Sequence, residues 1–176
     1  MVTNLLFFTA AITGVLLSMY ALQVENESLE SIKNNSDFTA TCDISDLISC
    51  SKVFTSEYGR LFVQFGLPDY PNAFYGLFYY CTIMILMMIN SSVIVTVYDD
   101  LLLTLATISM ILSAYLAYVL ANILHTICVV CFLSYICNAC IFFSVAFAAS
   151  TKNRSMHISS SIKLAKDLKV KNKNRR

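Results

Sequence analysis

Residues 101–151 read LLLTLATISMILSAYLAYVLANILHTICVVCFLSYICNACIFFSVAFAAST. No Asp, Glu, Lys or Arg interrupts them; His125, tyrosines and cysteines are the only ionisable groups. A helix needs roughly 20 apolar residues to cross a bilayer. The stretch therefore holds two spans and a short connection, about Leu101–Asn122 and Thr126–Ala149. Working outward, the chain is also free of charge from Asn72 to Tyr98, which gives a span at about Phe74–Val97. An apolar run at about Leu5–Val24 gives the first. That run lacks the basic start and small-residue cleavage site of a signal peptide, so a retained helix is expected. The fold class is an all-α membrane protein, a four-transmembrane-helix bundle.

Composition agrees. The chain has 176 residues, 57% of them hydrophobic and only 13% charged, which excludes an ordinary soluble domain. The charges are uneven. Residues 25–70 hold Lys33, Lys52 and Arg60 against eight acids, whereas the segment after Ala149 holds nine Lys/Arg and a single acid, Asp167. The positive-inside rule puts the tail in the cytosol and the acidic loop outside. Four spans then place the N-terminus in the cytosol as well. The turn between the second and third spans is expected at Asp99-Asp100. Sequons at Asn26 and Asn34 lie in the outside loop, and an oxidising compartment there would permit disulfides.

Two regions follow: a transmembrane domain over 1–151, with a cap loop over about 25–71, and a basic cytosolic tail over 152–176. The loop is too long for a plain connector. Its start, Glu25 to Asp37, is polar and expected to be mobile. Its second part is half apolar. Ile44, Leu47 and Ile48 follow helical spacing, as do Phe54, Tyr58, Leu61 and Phe62, so this part is expected to cover the outer end of the bundle. Pro68 and Pro71 mark the turn into the second span. In the tail, Ile158, Ile162, Leu164, Ala165 and Leu168 suit either a weak amphipathic helix on anionic lipid or a disordered segment. Residues 171–176, Lys-Asn-Lys-Asn-Arg-Arg, resemble a basic retrieval signal of the endoplasmic reticulum.

Seven cysteines remain to be placed. Cys42 and Cys50 lie in the outside loop; Cys128 and Cys131 form a C-x-x-C at the outer end of the fourth span. Both pairs therefore meet on one side of the membrane. At about 100° per residue, Cys128 and Cys131 lie about 60° apart, with Tyr135 between them in azimuth and about one turn deeper. Cys137 and Cys140 face elsewhere and, with Cys81, read as small hydrophobes. Thiol–disulfide exchange uses a thiolate, and the first turns of a helix favour an anion. The C-x-x-C alone is compatible with a redox pair, a packing pair or a structural bridge. Four zinc ligands would need tighter spacing in the loop, so no metal site is expected. His125 could help ionise a thiol, but is expected to cap the hairpin at the membrane surface.

The combined pattern resembles the vitamin K epoxide reductase family. The resemblance rests on Cys42-Asp43-Ile44, Ser49-Cys50-Ser51-Lys52-Val53-Phe54, Tyr58-Gly59-Arg60, Pro71-Asn72-Ala73-Phe74-Tyr75-Gly76, and Cys128-Val129-Val130-Cys131 with Tyr135. It covers about residues 5–149. Tyr58 stands where the family commonly has Trp, and Tyr75 where Phe is common.

The resemblance implies a bundle in the endoplasmic reticulum membrane, capped by the luminal loop, that reduces vitamin K quinone or its 2,3-epoxide. It implies that Cys131 attacks the substrate, Cys128 resolves it, Cys50 passes electrons to Cys128, and Cys42 exchanges with a luminal thioredoxin-like protein. It implies Asn72 and Tyr135 as hydrogen-bond donors to the quinone and Phe54, Tyr79 and Leu120 as pocket walls. Independently, Asn72 suits a helix cap, and a buried Asn or Tyr left unpaired costs about 1–3 kcal/mol. The quinone is a substrate and no bound cofactor is expected. Partners are membrane lipid, the luminal oxidoreductase and inhibitors of the anticoagulant type, with no nucleic acid. Two other readings use the same residues: a quinone-driven disulfide generator with reverse flow, and a non-enzymatic four-span scaffold with structural disulfides.

Overall fold

A computed structural model describes the backbone of residues 2–35, 39–45, 47–90 and 95–173, and the side chains within them except 2–4, 64–65, 89–90, 95–99, 152–153 and 155–173. Four long helices, α1 (Val2–Asn34), α3 (Asn72–Asn90), α4 (Val95–Val119) and α5 (Val129–Lys173), carry the fold, with a short α2 (Cys50–Phe54) in the cap. Among the described residues there is no β-strand. Leu5–Asn34, Asp100–Leu124 and Val129–Thr151 are long and apolar enough to cross a membrane, and α3 contributes a shorter apolar helix, Asn72–Met88. The four-helix membrane bundle read from the sequence is the architecture observed.

Several boundaries differ from expectation. The polar stretch after Val24 is no mobile loop: α1 continues through it to Asn34. Val24, Glu25, Ser28 and Ser31 recur at helical spacing and are buried. Gln23 donates to Glu27 one turn on, at 2.9 Å, a pairing that supports a helix face. The helix stops where Asn35 turns left-handed, φ 49°, a conformation Asn tolerates. Asp99 and Asp100 form no turn; they lie within α4, with no Gly or Pro after them to break it. The backbone of α5 stays helical to Lys173, so the tail backbone is helical over residues 152–173. The side chains of Ile158, Ile162, Leu164, Ala165 and Leu168 lie outside the described residues, as does residue 36 of the Asn34 sequon.

In the cap, residues Ile44, Leu47 and Ile48 do not form a helix. Ile48 instead makes isolated backbone bridges with Ser45 and with Ile127, and the Ile44 and Leu47 side chains face outward. The second apolar set does become helical, as α2 and a 3-10 helix over Glu57–Phe65. Gly59 is required there, because a Cβ would collide with the Phe54 carbonyl. The 3-10 helix ends at Gly66, in the left-handed region at φ 76°. Phe62 then meets Tyr75 of α3, ring centres 4.3 Å apart.

α1 packs against α3 and α5, and α4 against α5. Small residues allow this: α1 presents Ala10, Ala11 and Gly14, and a Cβ on Gly14 would enter the Tyr80 ring. Close approach at small residues is the usual basis of helix packing in lipid. One core lies deep in the bundle, around Phe7, Tyr80, Ile83, Leu102 and Ile141. A second joins bundle to cap, around Ala21, Val24, Cys50, Phe54 and Cys128.

Candidate active site

The site is set by a backbone pairing. The Ile127 N–H donates to Leu47 O at 2.7 Å, and the Ser49 N–H donates to Ile127 O at 3.1 Å. This joins the cap loop to the residue just before Cys128. Chain entry into α5 is prepared by a π-helical turn at Leu120–Leu124, closed by His125 in a left-handed conformation whose N–H bonds to Leu120 O. The exposed His125 therefore serves as the hairpin cap expected for it.

Asp43 fixes the other half. Its carboxylate accepts from the N–H groups of Ala40 (2.9 Å), Cys50 (2.7 Å) and Ser51 (3.1 Å), and from the hydroxyls of Ser49 (2.9 Å) and Ser51 (2.6 Å). The Cys50 and Ser51 N–H groups are the free donors that open α2. Burial works against ionisation of Asp43, but the hydrogen bonds from Ser51, Ala40 and Ser49 outweigh it and hold the carboxyl at about 2.

The four thiols read as one system meet here. Cys42 and Cys50 are joined in a disulfide. Cys128 is a buried free thiol with its sulfur 3.8 Å from the Cys50 sulfur. The same sulfur accepts the Cys131 N–H at 3.2 Å, so Cys128 caps α5 rather than lying inside it. The Tyr20 hydroxyl of α1 lies 3.8 Å from the Cys42 sulfur. Cys137 is in the deep core and Cys81 faces outward. Neither they nor Cys140 join the thiol system; for Cys137 and Cys140 this is what helical phase predicts.

Beneath the thiols lies a cavity of about 320 Å³ between the bundle and the cap. Cys131 lines it, and so do Asn72, Tyr135, Phe54, Tyr79 and Leu120. All five residues read from the sequence as substrate contacts thus surround one space, with a single thiol of the four opening into it. Asn72 has a further duty. It accepts the Leu61 N–H at 2.9 Å and donates to Tyr58 O at 2.5 Å, which ties the 3-10 helix to the start of α3.

The order of sulfurs is therefore a chain: the Cys42–Cys50 disulfide at the cap, Cys128 in contact with it, and Cys131 at the cavity. The chain matches the Vitamin K epoxide reductase family over residues 5–146. It belongs to that family. Among curated relatives, Vitamin K epoxide reductase complex subunit 1 of Rattus norvegicus is 33% identical, covering 73% of this chain and 79% of the relative. The Mus musculus protein of the same name is 30% identical, covering 72% and 78%. The protein is a membrane thiol oxidoreductase of this vitamin K epoxide reductase family.

Three parts of this family member's site escape sequence reading. Asp43 was visible only as a residue beside a cysteine. The buried Glu25 meets Arg60 at 3.3 Å, and Arg60 also meets Asp69 at 2.9 Å; the first pair is 35 residues apart. A polar string crosses the lower cavity wall: the Tyr80 hydroxyl donates to Asn138 at 2.8 Å, and Asn138 donates to the Ser113 hydroxyl at 2.8 Å. Tyr80 and Asn138 carry no signal in a single sequence that separates them from packing residues.

Proposed function

We propose that this protein reduces vitamin K quinone, its 2,3-epoxide, or both. Electrons enter from a luminal thioredoxin-like protein at Cys42, pass through Cys50 to Cys128, and reach substrate from Cys131. The observation that carries this reading is the contact between the Cys50 and Cys128 sulfurs directly above a cavity that Cys131 lines. A water-borne donor can reach the cap, and a lipid-borne acceptor can reach the bundle.

The steps balance. Reduced Cys50 attacks the Cys128 sulfur of a Cys128–Cys131 disulfide and releases the Cys131 thiolate. Cys42 then attacks Cys50, closing the Cys42–Cys50 disulfide and freeing Cys128. The protein's structure has the resulting arrangement, with the loop pair oxidised and Cys128 and Cys131 free. Cys131 and Cys128 next give two electrons to the substrate and close their own disulfide. A quinone becomes a hydroquinone by taking two protons; an epoxide becomes a quinone and releases water. Asn72 and Tyr135 donate hydrogen bonds to the quinone oxygens and stabilise the charge that grows there. Phe54, Tyr79 and Leu120 enclose the ring. No resident cofactor takes part. The same cavity would admit inhibitors of the anticoagulant type. The protein resides in the endoplasmic reticulum membrane with both termini cytosolic and the cap in the lumen.

The test is turnover by purified protein in detergent, with a small dithiol as reductant and vitamin K epoxide or vitamin K quinone as acceptor. Wild type turns over at least one of them, and Cys131→Ala turns over neither. Undiminished turnover by Cys131→Ala would remove the reading.

A further inference from the structure

One hydroxyl of the bundle reaches the cap disulfide. Leu17, Tyr20, Ala21 and Val24 recur at helical spacing on α1 and pack into the core that joins bundle to cap. The Tyr20 ring is partly buried there, and its hydroxyl stands 3.8 Å from the sulfur of Cys42, 22 positions later. A tyrosine so placed seats an apolar body in the core and presents a polar tip at its edge. Cys42 is only partly buried, whereas Cys50 is fully buried. Of the two disulfide sulfurs, the Tyr20 hydroxyl therefore meets the one that an outside thiol can reach.

The surroundings of Cys42 give that contact its weight. Exchange runs through a thiolate. The Cys128 sulfur has the Cys131 N–H at 3.2 Å to steady a negative charge. Cys42 lies in a loop, outside any helix start. The next residue, Asp43, is a carboxylate that stays ionised down to about pH 2 and opposes a second anion beside it. The other titratable groups around the pair are Cys50 at the start of α2 and Cys128 before α5. Lys52 falls on the opposite face of α2 from Cys50 by helical phase. On α1, Glu25 is engaged by Arg60 and Glu27 by Gln23. Among the described residues, the Tyr20 hydroxyl is the donor on the Cys42 sulfur.

We propose that Tyr20 is a positioning residue of the relay: its hydroxyl donates a hydrogen bond to the Cys42 sulfur and favours the thiolate there whenever the loop disulfide is open. The inference rests on the relay reading above and adds a residue to it. Two steps use that thiolate. When the second thiolate of the luminal thioredoxin-like donor attacks its own sulfur in a mixed disulfide with Cys42, that S–S bond breaks, the donor is oxidised and Cys42 leaves with the electron pair. The Cys42 thiolate then attacks Cys50 in the Cys50–Cys128 bridge, the Cys42–Cys50 bond forms, and Cys128 leaves as thiolate. A leaving thiol departs faster, and an attacking one is more often ready, when its charged form is stabilised.

Tyr20→Phe tests this, because it keeps the ring in the core and removes only the hydroxyl. Full-length protein in detergent is fully reduced and labelled with iodoacetamide across a pH series, with no quinone present, and the labelling rate of each cysteine is read by peptide mass mapping. The expected result is a Cys42 labelling midpoint about one pH unit higher in Tyr20→Phe, with the Cys50 and Cys128 profiles in place and the melting midpoint near wild type. A Cys42 profile that overlays wild type would overturn the proposal. Equal displacement of the Cys42, Cys50 and Cys128 profiles with a lowered melting midpoint would overturn it too, since that assigns the hydroxyl to structure. Wild type that turns over neither vitamin K quinone nor its epoxide removes the relay and this role in it together. An unmoved Cys42 profile in protein that does turn over removes this inference alone.

Discussion

The Cys128 sulfur lies 3.8 Å from the sulfur of Cys50, a residue 78 positions earlier that is held in a disulfide with Cys42. Exchange between two thiol pairs requires attack along such a contact. Cys128 rather than Cys131 makes it, so the two pairs are ordered.

That order gives a trapping prediction. Cys42→Ala removes the partner that would resolve a Cys50–Cys128 bridge. Mild oxidation with diamide should then yield that bridge as the main crosslink, detected by peptide mass mapping without reductant. Cys50–Cys131 crosslinks in comparable yield would contradict the order.

The register of cap on bundle rests on backbone, not on side chains. The Ile127 side chain is exposed, whereas its N–H is bonded to Leu47 O. Ile127→Pro removes that donor and should slow transfer from Cys50 to Cys128 by about tenfold to a hundredfold through misplacement. Ile127→Ala keeps the donor and should transfer at near the wild-type rate. Stopped-flow measurement of loop-pair oxidation compares the two.

Asp43 should act as a positioning residue. Asp43→Asn leaves α2 without its charged cap and should cost about 1–2 kcal/mol, the range of a lost cap at a partly exposed site. The pH dependence has a definite sign. The carboxyl sits at about 2 in the folded protein against its ordinary 3.8. Its contribution is therefore complete above about pH 4 and is lost as pH falls through about 2. Thermal unfolding of wild type should show that loss, and Asp43→Asn should show less of it.

The Glu25–Arg60 pair latches α1 to the cap. Glu25 is 2% exposed and Arg60 35%. Arg60→Ala strands the buried carboxylate and should cost about 2–3 kcal/mol, reduced from the fully buried range by the exposure of Arg60. Adding Glu25→Gln should recover part of that loss, since it removes the stranded charge. A double-mutant cycle of melting midpoints checks the recovery.

Much of this was legible because the bilayer imposes a simple code. Charge-free runs gave the four helices, and helical phase separated Cys137 and Cys140 from the reactive pair. The resemblance supplied Asn72, Tyr135, Phe54, Tyr79 and Leu120, which do surround one cavity. What stayed hidden has physical causes. The bond from Ile127 to Leu47 uses backbone groups that every residue possesses. Glu25 reads as the polar end of a span, and only its distant partner Arg60 makes it a buried residue. Helical spacing at Ile44, Leu47 and Ile48 misled, because the Asp43 hydrogen bonds and the Ile127 pairing claim that backbone instead.

The most direct test is to add vitamin K quinone or, in parallel, its 2,3-epoxide to fully reduced protein, quench with an alkylating reagent at successive times, and map which cysteines were protected by either acceptor. Cys128 and Cys131 should be protected first and Cys42 and Cys50 after them, with Cys81, Cys137 and Cys140 unchanged in their labelling. All four relay thiols remaining open to alkylation at every time would contradict it.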